Sequence, residues 1–303
     1  MEDPTREHVP VLVDEVAQLL AVKPGDIILD CTVGLGGHAR MLAEAAGESG
    51  LLIGMDVDES NLQSASQRLE GCACRVRLFR SNFARADEVL AEAQVGAVDV
   101  ILADLGVSSA QLADKRRGLS FQEDAPLDMR LDDRLEQTAA DLVNRLGEQE
   151  LADLIYRYGQ ERFSRRIARA VVHARRNQRI TTTQELVTVI ARALRVDPRS
   201  RAAKIHPATR TFQALRIAVN DELGALERLL AQAPTMLRPG GRIGIISFHS
   251  LEDGIVKQDF RAHKSDEIYD VLTKKPLTAR AEEIAVNPRS RSAKLRVAVR
   301  HEN

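Results

Sequence analysis

The chain has 303 residues, 44% of them hydrophobic and 29% charged, with 43 Lys and Arg set against 44 Asp and Glu. That length supports one large core or two smaller ones, and the balance excludes a disordered or fibrous chain. No apolar run approaches the ~20 residues of a membrane span, and the start at Met1-Glu2-Asp3-Pro4 has no secretory pattern. Three cysteines, Cys31, Cys72 and Cys74, fit a reducing compartment, so a cytoplasmic protein is expected. Cys72 and Cys74 have no second ligand pair nearby and the seven histidines are scattered, so no metal site is expected.

The first informative element is the apolar run Ile27-Ile28-Leu29, which leads into Asp30-Cys-Thr-Val-Gly34-Leu-Gly36-Gly37-His38. A buried strand, a glycine turn and a helix from about His38 are expected, because backbone can approach a ligand closely only where no Cβ intervenes. Gly34, Gly36 and Ala39 satisfy a relaxed dinucleotide fingerprint. A second strand over 51–55 then delivers Asp56, placed to accept hydrogen bonds from ribose hydroxyls. NAD and S-adenosylmethionine both carry ribose, so these residues leave the two cofactors open. Asp30 favours the second, because an acid at that strand end suits a cationic amino-acid group and repels a pyrophosphate.

A third strand over 75–79 is followed by Ser81, Asn82 and Phe83, with Phe83 positioned to pack on an adenine face. A fourth, over 98–103, ends at Asp104, and strand periodicity then stops until about Ile243. Between them the spacing is helical. Leu142, Leu146, Leu151, Leu154 and Ile155 mark one apolar face, and Phe163, Ile167, Ala170 and Val171 mark another. Thr181 to Glu185 has N-cap chemistry, and Asp197-Pro198 breaks the helix that follows. The expected organisation is a doubly wound α/β domain formed by 1–111 and 210–303, with an all-helical insertion over 112–209. One long helix over 211–237 leads through Pro239-Gly240-Gly241 into a fifth strand over 243–248. Runs at 269–273 and 294–299 read as the sixth and seventh strands.

Net charge of −1 hides an asymmetry. Residues 157–216 hold 15 Lys and Arg against 3 Asp and Glu, a balance of +12, so the rest of the chain carries −13. Such a segment beside a cofactor domain points to a polyanion such as RNA. Arg289, Arg291, Lys294, Arg296 and Arg300 form a smaller basic cluster near the C-terminus.

Several longer motifs resemble those of the bacterial RsmH (MraW) methyltransferases. They are the 30–38 stretch, Asp104-Leu-Gly-Val-Ser-Ser109-Ala-Gln111-Leu112, Arg117-Gly-Leu-Ser-Phe121 and Pro126-Leu-Asp-Met-Arg130. Tyr158-Gly-Gln-Glu-Arg-Phe163, His206-Pro-Ala-Thr-Arg-Thr-Phe-Gln213, Ser247-Phe-His-Ser-Leu-Glu-Asp253 and Asn287-Pro-Arg-Ser-Arg-Ser292 belong with them. The resemblance runs from His8 to the last strand. It implies a class I S-adenosylmethionine-dependent methyltransferase with a Rossmann-like, seven-stranded sheet and a reversed last strand. It also implies N4-methylation of one cytidine in small-subunit (16S) ribosomal RNA at the decoding centre. Carried onto this chain, the cofactor contacts are Gly36, Gly37, His38, Asp56, Phe83, Asp104 and Gln111. The implied partner is small-subunit ribosomal RNA or the small subunit itself, with no membrane; the sequence leaves open whether the chain is a homodimer.

Methyl transfer to an exocyclic amine needs alignment and exclusion of water more than a nucleophilic side chain. Cytosine C5 methylation would need a cysteine, and none lies near 104–109. Asp104 is the candidate catalytic acceptor for the amine N–H, with the Leu105 or Gly106 carbonyl or the Ser108 hydroxyl as helpers, and holding the cofactor's amino group is its competing role. Arg165, Arg166, Arg169, Lys204, His206 and Arg210 are expected on RNA phosphates, and His249, after the fifth strand, on the base or its phosphate. A local hydrogen bond for His249 is the plainer alternative. The target base is expected to leave its stack to react. Two rivals stay open on the residues alone: an NAD-dependent oxidoreductase using the same loop, and a non-enzymatic RNA-binding assembly factor.

Overall fold

The computed structural model describes residues 9–197 and 206–302. It divides into two compact units, Met1–Gly106 with Leu223–Asn303, and Val107–Glu222.

In the first unit, β1 (Ile27–Asp30), β2 (Leu51–Asp56), β3 (Arg75–Arg80), β4 (Val98–Asp104), β5 (Leu237–Ser247), β6 (Tyr269–Val271), β7 (Leu277–Thr278) and β8 (Lys294–Arg300) share one sheet. The order is β3-β2-β1-β4-β5-β8-β6, with β7 also on β8. β1 to β5 run parallel, while β8 pairs antiparallel with both β5 and β6. The doubly wound sheet and its reversed last strand are as expected, and β7 is a short addition. The strand order turns around between β1 and β4, and ligands of open α/β sheets bind at the carboxyl ends of strands beside such a switch.

The helices of this unit are α1 (Val13–Leu20), α2 (Gly37–Ala46), α3 (Glu59–Arg68) and α4 (Ala86–Glu92), then α11 (Glu222–Met236), α12 (Ser250–Ser265) and α13 (Ala281–Val286). Parallel strands buried on both faces read as continuous apolar runs. Leu29, Ile53, Ile101 and Ile243 pack with Val89 and Leu90 of α4, Leu226 and Leu229 of α11, and Phe260 of α12. Ile28, Leu52, Leu102 and Ile246 pack on the opposite face with Leu20 of α1, Leu42 of α2 and Leu62 of α3. Each such side chain contributes about 1.5–3 kcal/mol on burial.

The second unit consists of α5 (Ser109–Ala113), α6 (Ala139–Arg145), α7 (Glu148–Gly159), α8 (Ser164–Ala174), α9 (Thr183–Leu194) and α10 (Thr209–Asn220) around their own core. The N-cap read at Thr181 to Glu185 is Thr182, which forms a capping box with Glu185. Asn144 ties α6 to the segment before α9 by donating to Ile180 O and accepting from Ile180 N–H.

Three local expectations are corrected. The long helix over 211–237 is two helices, because Asp221 takes a left-handed conformation (φ 48°) and ends α10. α10 then packs in the second unit, whose boundaries fall at 107 and 222 where the sequence reading set 112 and 209. Pro239-Gly240-Gly241 lies inside β5, whose pairing with β4 shifts register between Val98 and Val100. Among the described residues, no helix is long and apolar enough to cross a membrane.

Candidate functional site

The carboxyl ends of β1, β2 and β4 each deliver an aspartate: Asp30, Asp56 and Asp104. Between β1 and α2 the chain turns through Gly34 and Gly36 at φ +51° and +81°. A Cβ on Gly36 would stand 3.2 Å from Ala65 Cα, so that glycine is held by packing against α3. A Cβ on Gly34 would make one ordinary contact, with Thr32 O at 3.7 Å, so packing does not require that glycine. Gly37, the first residue of α2, lies against the Pro10 ring.

Asp56 fastens this turn. Its Oδ2 accepts from Gly34 N–H at 3.0 Å and Asn61 Nδ2 at 3.1 Å, and its Oδ1 accepts from Asp58 N–H at 2.8 Å. Oδ1 keeps acceptor capacity for a further donor such as a hydroxyl. Asp30 Oδ1 accepts from Thr32 N–H, and Thr32 Oγ1 in turn accepts from Asp104 N–H at 2.6 Å. Thr32 therefore links the ends of β1 and β4. His38, buried at the start of α2, places Nε2 3.8 Å from Asp104 Oδ2. Asp104 Oδ1 is buried without a hydrogen-bond partner among the described residues.

Burial above all raises the pKa of these three carboxylates, and neighbouring acids add to it. Burial, and secondarily Asp30, push Asp104 up to about 8, with Arg289 acting in the opposite sense. Asp30 rises to about 7 through burial, with Asp56 adding to the shift. Asp56 rises to about 6 through burial, although its three donors pull it down. A site with an unpartnered buried carboxylate oxygen and a surplus of acid fits a cationic ligand that also offers ribose hydroxyls. S-adenosylmethionine has a sulfonium, an ammonium and a ribose. The pyrophosphate of NAD would meet the same carboxylates as an anion, which opposes that rival.

The other sequence-predicted residues are placed as follows. Phe83 opens the 3-10 turn after β3 and packs half-buried on the core. Gln111 lies in the second unit, where its Oε1 accepts from Ser108 N–H in the capping box of α5. His249 caps α12: its Nδ1 accepts from Glu252 N–H, and its Nε2 lies 3.0 Å from Glu252 Oε1. This local engagement favours the plainer reading of that histidine. In the second unit, His206 stacks on Phe121 with ring centroids 4.6 Å apart, and Arg210 reaches the buried Glu161 carboxylate at 3.8 Å. Both have structural employment there. Arg165 and Arg166 are exposed on α8, and Arg169 reaches Glu148 at 3.3 Å. Lys204 falls outside the described residues.

Sequence reasoning passed over Thr32 and Asn61, and saw Arg289 only as part of a basic cluster. The first two act through contacts made only once the turn is folded. Arg289 sits in the Asn287 to Ser292 motif, which marked the segment without indicating that its charge acts on Asp104.

A family model described as the MraW methylase family matches residues 5–301. A protein of Cyanothece sp. named ribosomal RNA small subunit methyltransferase H is 50% identical over 300 positions, covering 98% of this chain and 96% of that protein. Proteins of the same name from Acidobacterium capsulatum and Symbiobacterium thermophilum are 48% and 46% identical, covering 96% and 97% of this chain and 97% and 96% of their own lengths. The chain belongs to the MraW methylase family and is an S-adenosylmethionine-dependent methyltransferase.

Proposed function

We propose that the protein methylates the exocyclic N4 of a cytidine in small-subunit ribosomal RNA at the decoding centre, acting in the cytoplasm. The observation that carries this reading is the trio Asp30, Asp56 and Asp104 around the Gly34–His38 turn, in a chain whose near full-length relatives bear an rRNA methyltransferase name. Asp56 takes the ribose hydroxyls, and Gly36 and Gly37 let the backbone pass close to the ligand. Asp104, with His38 beside it, takes the ammonium of the methionine end. Phe83 packs on the adenine, and Gln111 completes the set. The bound cofactor supplies an activated methyl group on a good leaving group.

The chain's own task is then to align the amine and accept its hydrogen bond, so that the nitrogen lone pair is freed from the ring. Asp104 at the end of β4 is the candidate acceptor, with the Leu105 or Gly106 carbonyl or the Ser108 hydroxyl as helpers, and holding the ammonium is its competing role. C5 chemistry is disfavoured by the thiols. Cys31 is buried, and burial together with Asp30 pushes its pKa well up, away from the thiolate that such chemistry needs. The arginines of the second unit hold RNA phosphates.

Incubation with methyl-labelled S-adenosylmethionine and small ribosomal subunits, followed by digestion of the RNA to nucleosides, tests the reading. Label in N4-methylcytidine is expected. Label in another nucleoside, or none on subunits, naked RNA or assembly intermediates, would overturn it.

A further inference from the structure

Resting on the reading that the substrate is RNA, we propose that Tyr156 and Phe163 form a stacking platform for unpaired bases, flanked by Arg157, Arg162, Arg165 and Arg166. The chain has seven Phe, three Tyr and no Trp. Among the described residues, Tyr156 and Phe163 are the two aromatics with large exposed side chains, at 64% and 55% exposure. The apolar spacing of the sequence put Phe163 on a buried stripe, and the structure corrects this. α8 buries Ile167, Ala168 and Val171, while Phe163 stands outside at its N-cap. α7 buries Leu151, Ala152 and Ile155, and Tyr156, the next residue, turns away from the core by the ~100° step of the helix.

The two rings therefore sit on the surface in the last turn of α7 and at the N-cap of α8, with four residues, 160–163, between the helices. Their apolar area does nothing for the core. Two exposed rings are what base stacking uses, because every base offers a π-face while a duplex hides it.

The charge around them fits a nucleic acid. Between residues 155 and 170 the sole acid is Glu161. Its carboxylate is turned inward, where it accepts from Phe163 N–H at 2.9 Å and lies 3.8 Å from Arg210. Arg162, Arg165 and Arg166 are exposed and have no ion pair among the described residues. The Arg157 guanidinium lies 5.2 Å from the Tyr158 ring centroid. No acid stands in the first turn of α8 to offset these charges. Planar guanidinium groups bind phosphate in a bidentate manner and also stack. Exposed arginines beside exposed rings thus match an unpaired, phosphate-bearing strand better than a protein surface.

The absence of tryptophan makes Phe163→Trp a single fluorescent reporter on this surface. A short single-stranded RNA is expected to quench it, and a duplex of the same sequence to leave it unquenched at equal occupancy by anisotropy. The double variant Tyr156→Ala/Phe163→Ala is expected to weaken single-stranded RNA binding about tenfold or more, with S-adenosylmethionine affinity and thermal unfolding unchanged. RNA that binds without quenching, together with full affinity in the double variant, would overturn the platform while leaving the RNA reading intact. Failure of the wild-type protein to bind any RNA would remove the reading beneath it. Quenching by an acidic peptide but not by RNA would assign the surface to a protein partner and overturn the proposal.

Discussion

His38 Nε2 stands 3.8 Å from Asp104 Oδ2, and burial together with the Asp30 carboxylate raises the pKa of Asp104. With its pKa pushed up to about 8, Asp104 is mostly protonated at neutral pH in the ligand-free protein. An ammonium placed against it favours the ionised form, so cofactor binding near pH 7 should release up to about one proton. Calorimetry in two buffers of different ionisation enthalpy reads this directly. Asp104→Asn should remove most of the release and weaken binding about tenfold or more. A binding enthalpy independent of buffer would count against the contact.

The same carboxylates set a stability profile. Asp30, Asp56 and Asp104 rise from an ordinary 3.8 to about 7, 6 and 8 in the folded chain. The folded state therefore holds protons that the unfolded chain has released, and their contribution is complete below about pH 4 and is lost as pH climbs through 6 to 8. Melting temperature of the ligand-free protein should fall between pH 5 and about 8.5, with Asp104→Asn flattening the upper part of the fall. A melting curve rising across that window would contradict the clustering.

Two glycines of one turn should fail in different ways. Gly36→Ala brings strain at φ +81° and a Cβ 3.2 Å from Ala65 Cα. It should cost about 1–3 kcal/mol and lower the melting temperature. Gly34→Ala brings only the φ cost, because its Cβ would make no more than an ordinary contact, 3.7 Å from Thr32 O. It should mainly reduce cofactor affinity, since the new methyl group enters the ligand's volume. Thermal unfolding and calorimetry of the pair separate the two effects, and equal melting losses would show that Gly34 does not border the ligand.

Charge reversal by Arg165→Glu/Arg166→Glu should leave cofactor affinity unchanged. RNA binding should weaken about ten- to a hundredfold at moderate salt, and the salt-dependence slope should fall by roughly 1.5 for two lost phosphate contacts. Unchanged RNA binding would move the phosphate contacts elsewhere.

Much of this architecture was legible because its signals are local. Ile27-Ile28-Leu29 running into the glycine turn, Asp56 ending β2, Asp104 ending β4 and the Thr182–Glu185 capping box each need only a few neighbouring residues. Other features depend on partners distant in sequence. The contacts of Arg210 with Glu161 and of His206 with Phe121 join residues 49 and 85 positions apart, so local spacing did not reveal them. The break falls at Asp221, a non-glycine residue in the left-handed region, and one helix was expected to run through it. Phe163 was drawn into an apolar stripe for a related reason: periodicity does not see where a helix begins.

The most direct test is a crystal structure of the protein with S-adenosylmethionine bound. The account predicts the methionine ammonium within hydrogen-bond distance of Asp104, the ribose hydroxyls on Asp56, and the adenine against Phe83, all over the Gly34–His38 turn. A cofactor seated away from these strand ends, or one that leaves Asp104 Oδ1 without a partner, would contradict it.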